Sequence, residues 1–239
     1  MSTRVYHRRV PTANATGWSS TVLNEIGELF VAHCRQTQGT VLDIGSGLGV
    51  ATIAALETGA SVIANDADSG QLRDIAQRSG PLAHRLHLLP GRFPYKIKLE
   101  ANSLDAVHAS SVFHFLTGRQ LEIGARSLHY WLKPGGKVFA LAATPYFGPF
   151  SSFAATYEQR LSQGDHWPGW VDNTRTITDH RLMAQVPKSI HLLDDKILTR
   201  VFRDAGFAVD RCWIFRRHDL PASLHHDGRE SVGLVARKL

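Results

Sequence analysis

The stretch VLDIGSGLGVATIAALETGASVIANDAD, residues 41–68, places three alternate glycines after one apolar run and ends a second apolar run on an acid. Glycines between a strand and a helix let the backbone turn tightly and approach a ligand, while helix N–H groups point at that ligand. Strand, helix and strand in this order make a βαβ unit, which favours a parallel, largely buried sheet. The stretch therefore predicts an α/β fold with a nucleotide-type ligand at the glycine turn.

The spacing of the glycines distinguishes between nucleotide-binding motifs. The dinucleotide fingerprint GxGxxG fails because its last position falls on Val50 or Thr52, and no Gly-Lys-Ser/Thr follows to make a P-loop. Asp66 ends the second apolar run, where a carboxylate can accept both hydroxyls of a ribose. Asp43 adds negative charge beside the turn, which suits a cationic ligand better than a pyrophosphate.

Outward from this stretch, strands and helices alternate as far as Ala143. An apolar stripe of helical period predicts a helix from Ser19 or Ser20 to about Arg35, with a serine cap. Further predicted elements are a helix in SGQLRDIAQRS, a strand in LHLLPG, a strand in LDAVHAS, a helix in GRQLEIGARSLHYWL and a strand in KVFALAA. The pattern resumes with the helix DDKILTRVFRDAG and the strands FAVDRCWIFRR and ESVGLVARK.

Residues 144–190 interrupt this alternation with many aromatic residues, glycines and prolines, over a longer stretch than an ordinary loop. We expect an inserted cap there. The chain of 239 residues is then one domain, with an N-terminal helical or cap segment (1–37), a ligand-binding core (38–143), the inserted cap (144–190) and a C-terminal helix with strands (191–239).

Five motifs in order resemble class I S-adenosylmethionine-dependent methyltransferases: VLDIGSGLG…VIANDAD, LDAVHASSVFHFL, LHYWLKPGGKVFALAATP, VFRDAGFAVDR and the final LVARK. The resemblance covers roughly residues 38–143 and 194–239. It implies a Rossmann-like, seven-stranded, mostly parallel sheet whose last strand is antiparallel, with helices on both faces. It also implies S-adenosylmethionine as cofactor and methyl transfer as the activity.

The resemblance also assigns the cofactor site. It places Gly45, Ser46 and Gly47, followed by Gly49, near the methionine portion of the cofactor, with Asp43 beside them. By the same resemblance Asp66 holds the ribose hydroxyls, Ala67 lies against the adenine, and Ser110 faces the sulfonium.

The turn after the third strand departs from the family pattern. The family usually has an acid or amide there for the adenine amino group, whereas this chain has LPGRFP with Arg92 at that position. Arginine cannot accept a hydrogen bond. We expect backbone groups near Arg92 and Phe93 to hold the adenine, or the alignment of the turn to be shifted.

Methyl transfer is an in-line displacement in which the enzyme positions the acceptor and, where needed, removes its proton. His114, just after the fourth strand, is the predicted general base, and a structural histidine capping that turn is the alternative. His166 and His180 are rival candidates. Trp167 and Trp170, beside His166 in GDHWPGW, are expected in the acceptor pocket or in the core of the cap, and a stretch from Tyr6 to Trp18 completes the cap.

A small-molecule acceptor is predicted. The net charge of +6 is scattered along the chain, and ASSVF stands where nucleic-acid amino-methyltransferases of this fold have [DN]PP[FYW]. An RNA methyltransferase and a non-catalytic S-adenosylmethionine-binding protein are the alternatives. No metal is expected, because the histidines show no HExxH spacing. Two distant cysteines, the absence of a leader and the absence of a long apolar run favour a cytoplasmic protein without a membrane partner.

Overall fold

A computed structural model of the chain describes residues 9–11, 18–178 and 186–239. Two short strands, β1 (Arg9–Pro11) and β2 (Trp18–Ser20), pair antiparallel near its beginning. The main sheet consists of β3 (Thr40–Ile44), β4 (Ser61–Asp66), β5 (Leu86–Pro90), β6 (Leu104–Ser110), β7 (Leu132–Ala143), β10 (Phe207–Phe215) and β11 (Ser231–Lys238). A two-residue pair, β8 (Trp170–Val171) with β9 (Ile190–His191), lies between β7 and β10 in the sequence.

The order of the main sheet is β10-β11-β7-β6-β3-β4-β5. β11 runs antiparallel to both of its neighbours, whereas β7, β6, β3, β4 and β5 are mutually parallel. The predicted Rossmann-like sheet with an antiparallel last strand is therefore confirmed.

Helices cover both faces of the sheet. They are α1 (Glu25–Thr37), α2 (Val50–Glu57), α3 (Ser69–Ser79), α4 (Gly118–Trp131), α5 (Ala154–Ser162) and α6 (Asp195–Asp204). Neighbouring strand residues point to opposite faces, so Val41 packs in the cluster that contains α1 and α2, and Leu42 packs in the cluster that contains α4 and α6. Both faces of β3 are buried, which explains its continuous apolar run.

Parallel pairing brings the ends of several strands to one edge of the sheet. Ile44 at the end of β3 pairs with Asn65 of β4 and with Ala109 of β6. The turns that follow β3, β4 and β6 therefore converge, and ligands of open α/β sheets bind at this carboxyl edge.

Two glycines allow the turn between β3 and α2. Gly45 has a φ of 64° and Gly49 has a φ of 72°, a left-handed conformation that other residues rarely adopt. A Cβ on Gly45 would lie 2.6 Å from Val112 Cγ2, and a Cβ on Gly49 would lie 2.6 Å from Ile75 Cγ1. The alternate glycines thus satisfy both the backbone conformation and the close packing of the turn.

The start of α1 differs from the prediction. The cap is Asn24, whose side chain accepts a hydrogen bond from the Gly27 N–H, and Ser19 and Ser20 belong to β2 instead. An N-cap must accept from an N–H two or three positions ahead, and Asn24 meets that condition for a helix that begins at Glu25. The predicted serine cap was therefore wrong by one helical turn.

Residues 144–190 contain a 3-10 turn (Gly148–Phe153), helix α5 and the small pair of strands β8 and β9. Phe150, Phe153 and Tyr157 form a separate hydrophobic cluster there with Leu220 and Leu224 of the C-terminal region. The segment has its own small core. In the described ranges, no helix combines the length and apolar character needed to cross a membrane.

Candidate functional site

A cavity of about 500 Å³ opens at the carboxyl edge of the sheet. Its wall includes almost all of the residues predicted for the site: Asp43, Gly45, Ser46, Gly47, Asp66, Ala67, Arg92, Phe93, Ser110 and His114. Gly49 is not among the lining residues; it is the N-cap of α2 and lies close to the side chain of Ile75. The structure thus brings the predicted residues together, and their individual roles toward a ligand remain predictions.

Asp66 is 7% exposed and is held by the backbone of two turns. The N–H of Gly47 donates to its Oδ2 at 3.0 Å, and the N–H of Asp68 donates to its Oδ1 at 2.9 Å. Each carboxylate oxygen can accept a further hydrogen bond. The carboxylate is therefore fixed against the glycine turn and can still accept from ligand hydroxyls.

Asp43 is part of a buried network that the sequence analysis missed. The Asp43 carboxylate accepts from Thr52 Oγ1 at 2.7 Å, and its other oxygen lies 2.8 Å from His108 Nδ1. The His108 ring stacks on Phe30, with centroids 5.0 Å apart. His108 stands opposite Asp43 only because β3 and β6 are parallel neighbours in this register, which the sequence pattern does not reveal.

Several buried polar atoms of the cavity wall have no hydrogen-bond partner among the described residues. These atoms are Ser46 Oγ, Gln71 Oε1 and His108 Nε2. An unsatisfied buried polar group costs about 1–3 kcal/mol, so such atoms usually have a ligand or water as partner. A polar ligand with donors and acceptors, such as a nucleoside carrying an amino acid, fits this wall. Gln71 is a second residue that the sequence analysis missed.

The turn after β5 is positioned by Asn65. The Asn65 amide donates to the carbonyls of Leu89 at 2.8 Å and of Gly91 at 2.9 Å. Phe93 is buried against Phe113, with ring centroids 6.3 Å apart, whereas Arg92 is exposed. The Asn65 side chain therefore fixes the backbone of this turn, and an adenine site made by backbone groups stays a prediction.

His114 is buried in the 3-10 turn Phe113–Phe115 that follows β6. Its Nδ1 accepts a hydrogen bond from the Ala143 N–H at 3.2 Å, so the neutral ring carries its proton on Nε2. Burial, followed by the charge of Arg217, lowers the pKa of His114 to about 3. His114 is thus a hydrogen-bond donor and a weak base at neutral pH, which favours a binding role over proton removal.

The rest of the cavity wall comes from elements outside the glycine motifs. Phe147 and Phe150 of the 144–190 segment, with Leu220, form apolar wall, and Arg217 and Ser231 add polar groups. We term this part the acceptor end. Arg217 is 5% exposed and was missed by the sequence analysis, because nothing local in RRHD predicts burial.

The predicted tryptophan wall lies elsewhere. Trp167, Trp170 and His166 are not among the residues that line the cavity. Trp167 and Trp170 pack edge-on against the buried His191, and the exposed His166 contacts Arg200 and Glu122. Of the two predicted alternatives for the tryptophans, these contacts favour packing within the fold over a place in the wall of the acceptor pocket. His180 and most of the Tyr6–Trp18 stretch lie outside the described residues.

Comparison with known proteins agrees with this arrangement. Residues 41–136 match the model of a family described as "Methyltransferase domain". Among curated proteins, the histone-arginine methyltransferase CARMER of Drosophila ananassae is 26% identical over 130 residues, which are 53% of this chain and 24% of that protein. The chain thus spans about a quarter of the length of such relatives.

Solved structures match over most of the chain. A putative S-adenosylmethionine-dependent methyltransferase of Listeria monocytogenes has a TM-score of 0.63 at 15% identity and covers 90% of this chain and 98% of its own. A methyltransferase of Methanosarcina mazei has a TM-score of 0.61 at 16% identity, with 84% and 92% covered. These likenesses establish the fold. Residues 41–136 thus match a methyltransferase domain, and the chain as a whole has the fold of the S-adenosylmethionine-dependent methyltransferases named above.

Proposed function

We propose that the protein transfers the methyl group of S-adenosylmethionine to a small organic acceptor bound in the same cavity. The observation that carries the proposal is the composition of the cavity wall. One part contains the glycine turn, Asp43 and Asp66, and another contains Phe147, Phe150 and Arg217. A cavity of about 500 Å³ lies within the range of small-ligand sites.

The cofactor supplies an electrophilic methyl carbon on a sulfonium. The contribution of the chain is to hold two ligands in line and to exclude water. Asp66 is fixed by the N–H groups of Gly47 and Asp68 and would accept from the ribose hydroxyls. Ser46 Oγ, Gln71 Oε1 and His108 Nε2 offer partners for further polar groups of the cofactor.

The hydrogen bonds already made by the acid at the acceptor end favour a small acceptor that is not a cation. The acids of its wall are Asp43 and Asp66 at the cofactor end and Glu230 at the acceptor end. Glu230 is fully buried, and its oxygens accept from the backbone N–H groups of Arg217, His226 and Gly228. At the acceptor end a guanidinium could pair only with Glu230, and three of the roughly four acceptor positions of that carboxylate are taken, so protein arginine is a poor fit there despite the names of the curated relatives.

The test is methyl transfer from S-adenosylmethionine labelled in its methyl group, with a cell extract separated into small molecules, RNA and protein. Label in the small-molecule fraction is the expected result. Label only in RNA or protein would contradict the proposed acceptor class, and binding of the cofactor without transfer to any fraction would contradict enzymatic activity.

A further inference from the structure

The acceptor end contains a buried cation with an unusual arrangement of partners. The Arg217 guanidinium donates from Nε and Nη2 to the two carboxylate oxygens of Asp219, at 2.6 and 2.5 Å. Its remaining nitrogen, Nη1, has one long contact, 3.5 Å to Ser231 Oγ. One edge of the guanidinium is therefore fully paired, and the Nη1 edge retains donor capacity.

His114 and Arg217 converge on the same point of the sheet. Ser231 at the start of β11 pairs with Ala143 at the end of β7, and the Ala143 N–H donates to His114 Nδ1. Arg217 Nη1 approaches the side chain of that same Ser231. The Arg217 charge also contributes to the low pKa of His114, in agreement with their proximity. The Nε2–H of His114 has no hydrogen-bond partner among the described residues.

The residues around Arg217 and His114 favour one chemical class of ligand. Phe147, Phe150 and Leu220 provide apolar wall, and the nearby Glu230 is already satisfied by backbone N–H groups. Asp219 balances the Arg217 charge, which makes its burial tolerable before a ligand binds. Hydrogen-bond donors, one of them cationic, at the end of an apolar cavity recognise an anionic group on an apolar body.

We propose that the methyl acceptor is a small organic acid whose carboxylate is held by Arg217 Nη1 and His114 Nε2–H. This inference rests on the proposed function, because it names the class of acceptor for the same cavity. It assigns His114 to acceptor binding in place of proton removal. If Arg217 had only a structural role, it would hold the loop between β10 and β11 through Asp219. The protein would then bind acidic and neutral ligands with similar affinity.

The direct test uses pairs of probes that differ only in charge: benzoate against benzamide, and hexanoate against hexanamide. Each is titrated calorimetrically into the wild-type protein saturated with S-adenosylhomocysteine. We expect the acid of at least one pair to bind about tenfold or more tightly than its amide, because hydrogen bonds between charged groups exceed neutral ones by this order. Amides that bind as tightly as the acids in both pairs, or acids that do not bind, would overturn the proposal.

Variants then test whether Arg217 causes the preference for acids over amides. Arg217→Gln alone removes the guanidinium that pairs with the Asp219 carboxylate and risks unfolding, so Arg217→Gln/Asp219→Asn removes both charges together. The control is Arg229→Gln/Asp227→Asn, which neutralises a more exposed Arg–Asp pair outside the cavity wall, where Nε and Nη2 donate to the same oxygen, Asp227 Oδ2. We expect the acid preference to disappear in the first double variant and to persist in the second. A folded first variant with full acid preference would overturn the proposal.

The cofactor titration separates this inference from the proposed function. If the protein binds S-adenosylhomocysteine and methylates only neutral small molecules, the organic-acid inference is contradicted and the proposed function stands. If the protein binds no S-adenosylhomocysteine, the proposed function itself is contradicted.

Discussion

Asp66→Ala is the most informative single change at the cofactor end. The Asp66 carboxylate already accepts from Gly47 and Asp68 and has capacity for the ribose hydroxyls. A hydrogen bond to a charged group contributes ~1.5–3 kcal/mol, and ~1.4 kcal/mol is a factor of ten. The loss of one ribose bond therefore weakens cofactor binding roughly 10- to 150-fold by these values.

The assay is calorimetric titration with S-adenosylmethionine, with urea unfolding measured on the same samples. Asp68→Ala is the matched control, because Asp68 caps α3 by accepting from the Gly70 N–H at 2.7 Å and is absent from the cavity wall. That control should lose about 0.5–2 kcal/mol of stability and keep its affinity. Wild-type affinity in a folded Asp66→Ala protein would refute the assigned role of Asp66.

Three further predictions follow from the site. Gly49→Ala should lower the free energy of unfolding in urea more than Gly80→Ala. Both positions have a positive φ, but only a Cβ at position 49 would lie 2.6 Å from Ile75. Equal losses of stability in the two variants would contradict this packing. Arg92→Ala should leave cofactor affinity nearly unchanged in a titration, since the backbone of that turn is fixed by Asn65, and a large loss would show that the guanidinium contacts the cofactor. Because the folded state lowers the pKa of His114 from 6.5 to about 3, the unfolded chain binds more protons between these values, and stability falls as pH falls from about 6.5 toward 3. His114→Gln should reduce this pH dependence by up to about 1.4 kcal/mol per pH unit in urea unfolding at pH 7 and pH 5, and an unchanged slope would contradict the buried, neutral histidine.

The sequence was sufficient for the elements with strong local signals. β3 and β4 coincide with the two apolar runs on either side of the glycine turn, because glycines and polar residues delimit short apolar runs that are buried in the sheet. The helix between them, α2, ends at Glu57, two positions before Gly59, which marks the predicted stop. Local patterns failed at α1, where a serine cap was predicted and the side chain of Asn24 caps the helix by accepting from the Gly27 N–H.

The site depended on information that the sequence does not carry locally. His108 faces Asp43 through the register of two strands that are far apart in sequence, and Arg217 enters the cavity from the loop after β10. A wall of the acceptor pocket was one of the two places predicted for Trp167 and Trp170, but both side chains pack against His191. Tertiary contacts of this kind can be inferred only when the order of the strands in the sheet is known.

A crystal structure of the protein with S-adenosylhomocysteine tests the central claim most directly. The account predicts that the ribose hydroxyls lie within hydrogen-bond distance of the Asp66 carboxylate, with the sulfur directed toward the end of the cavity that contains His114 and Arg217. A nucleoside bound away from Asp66, or a sulfur directed away from that end, would contradict it.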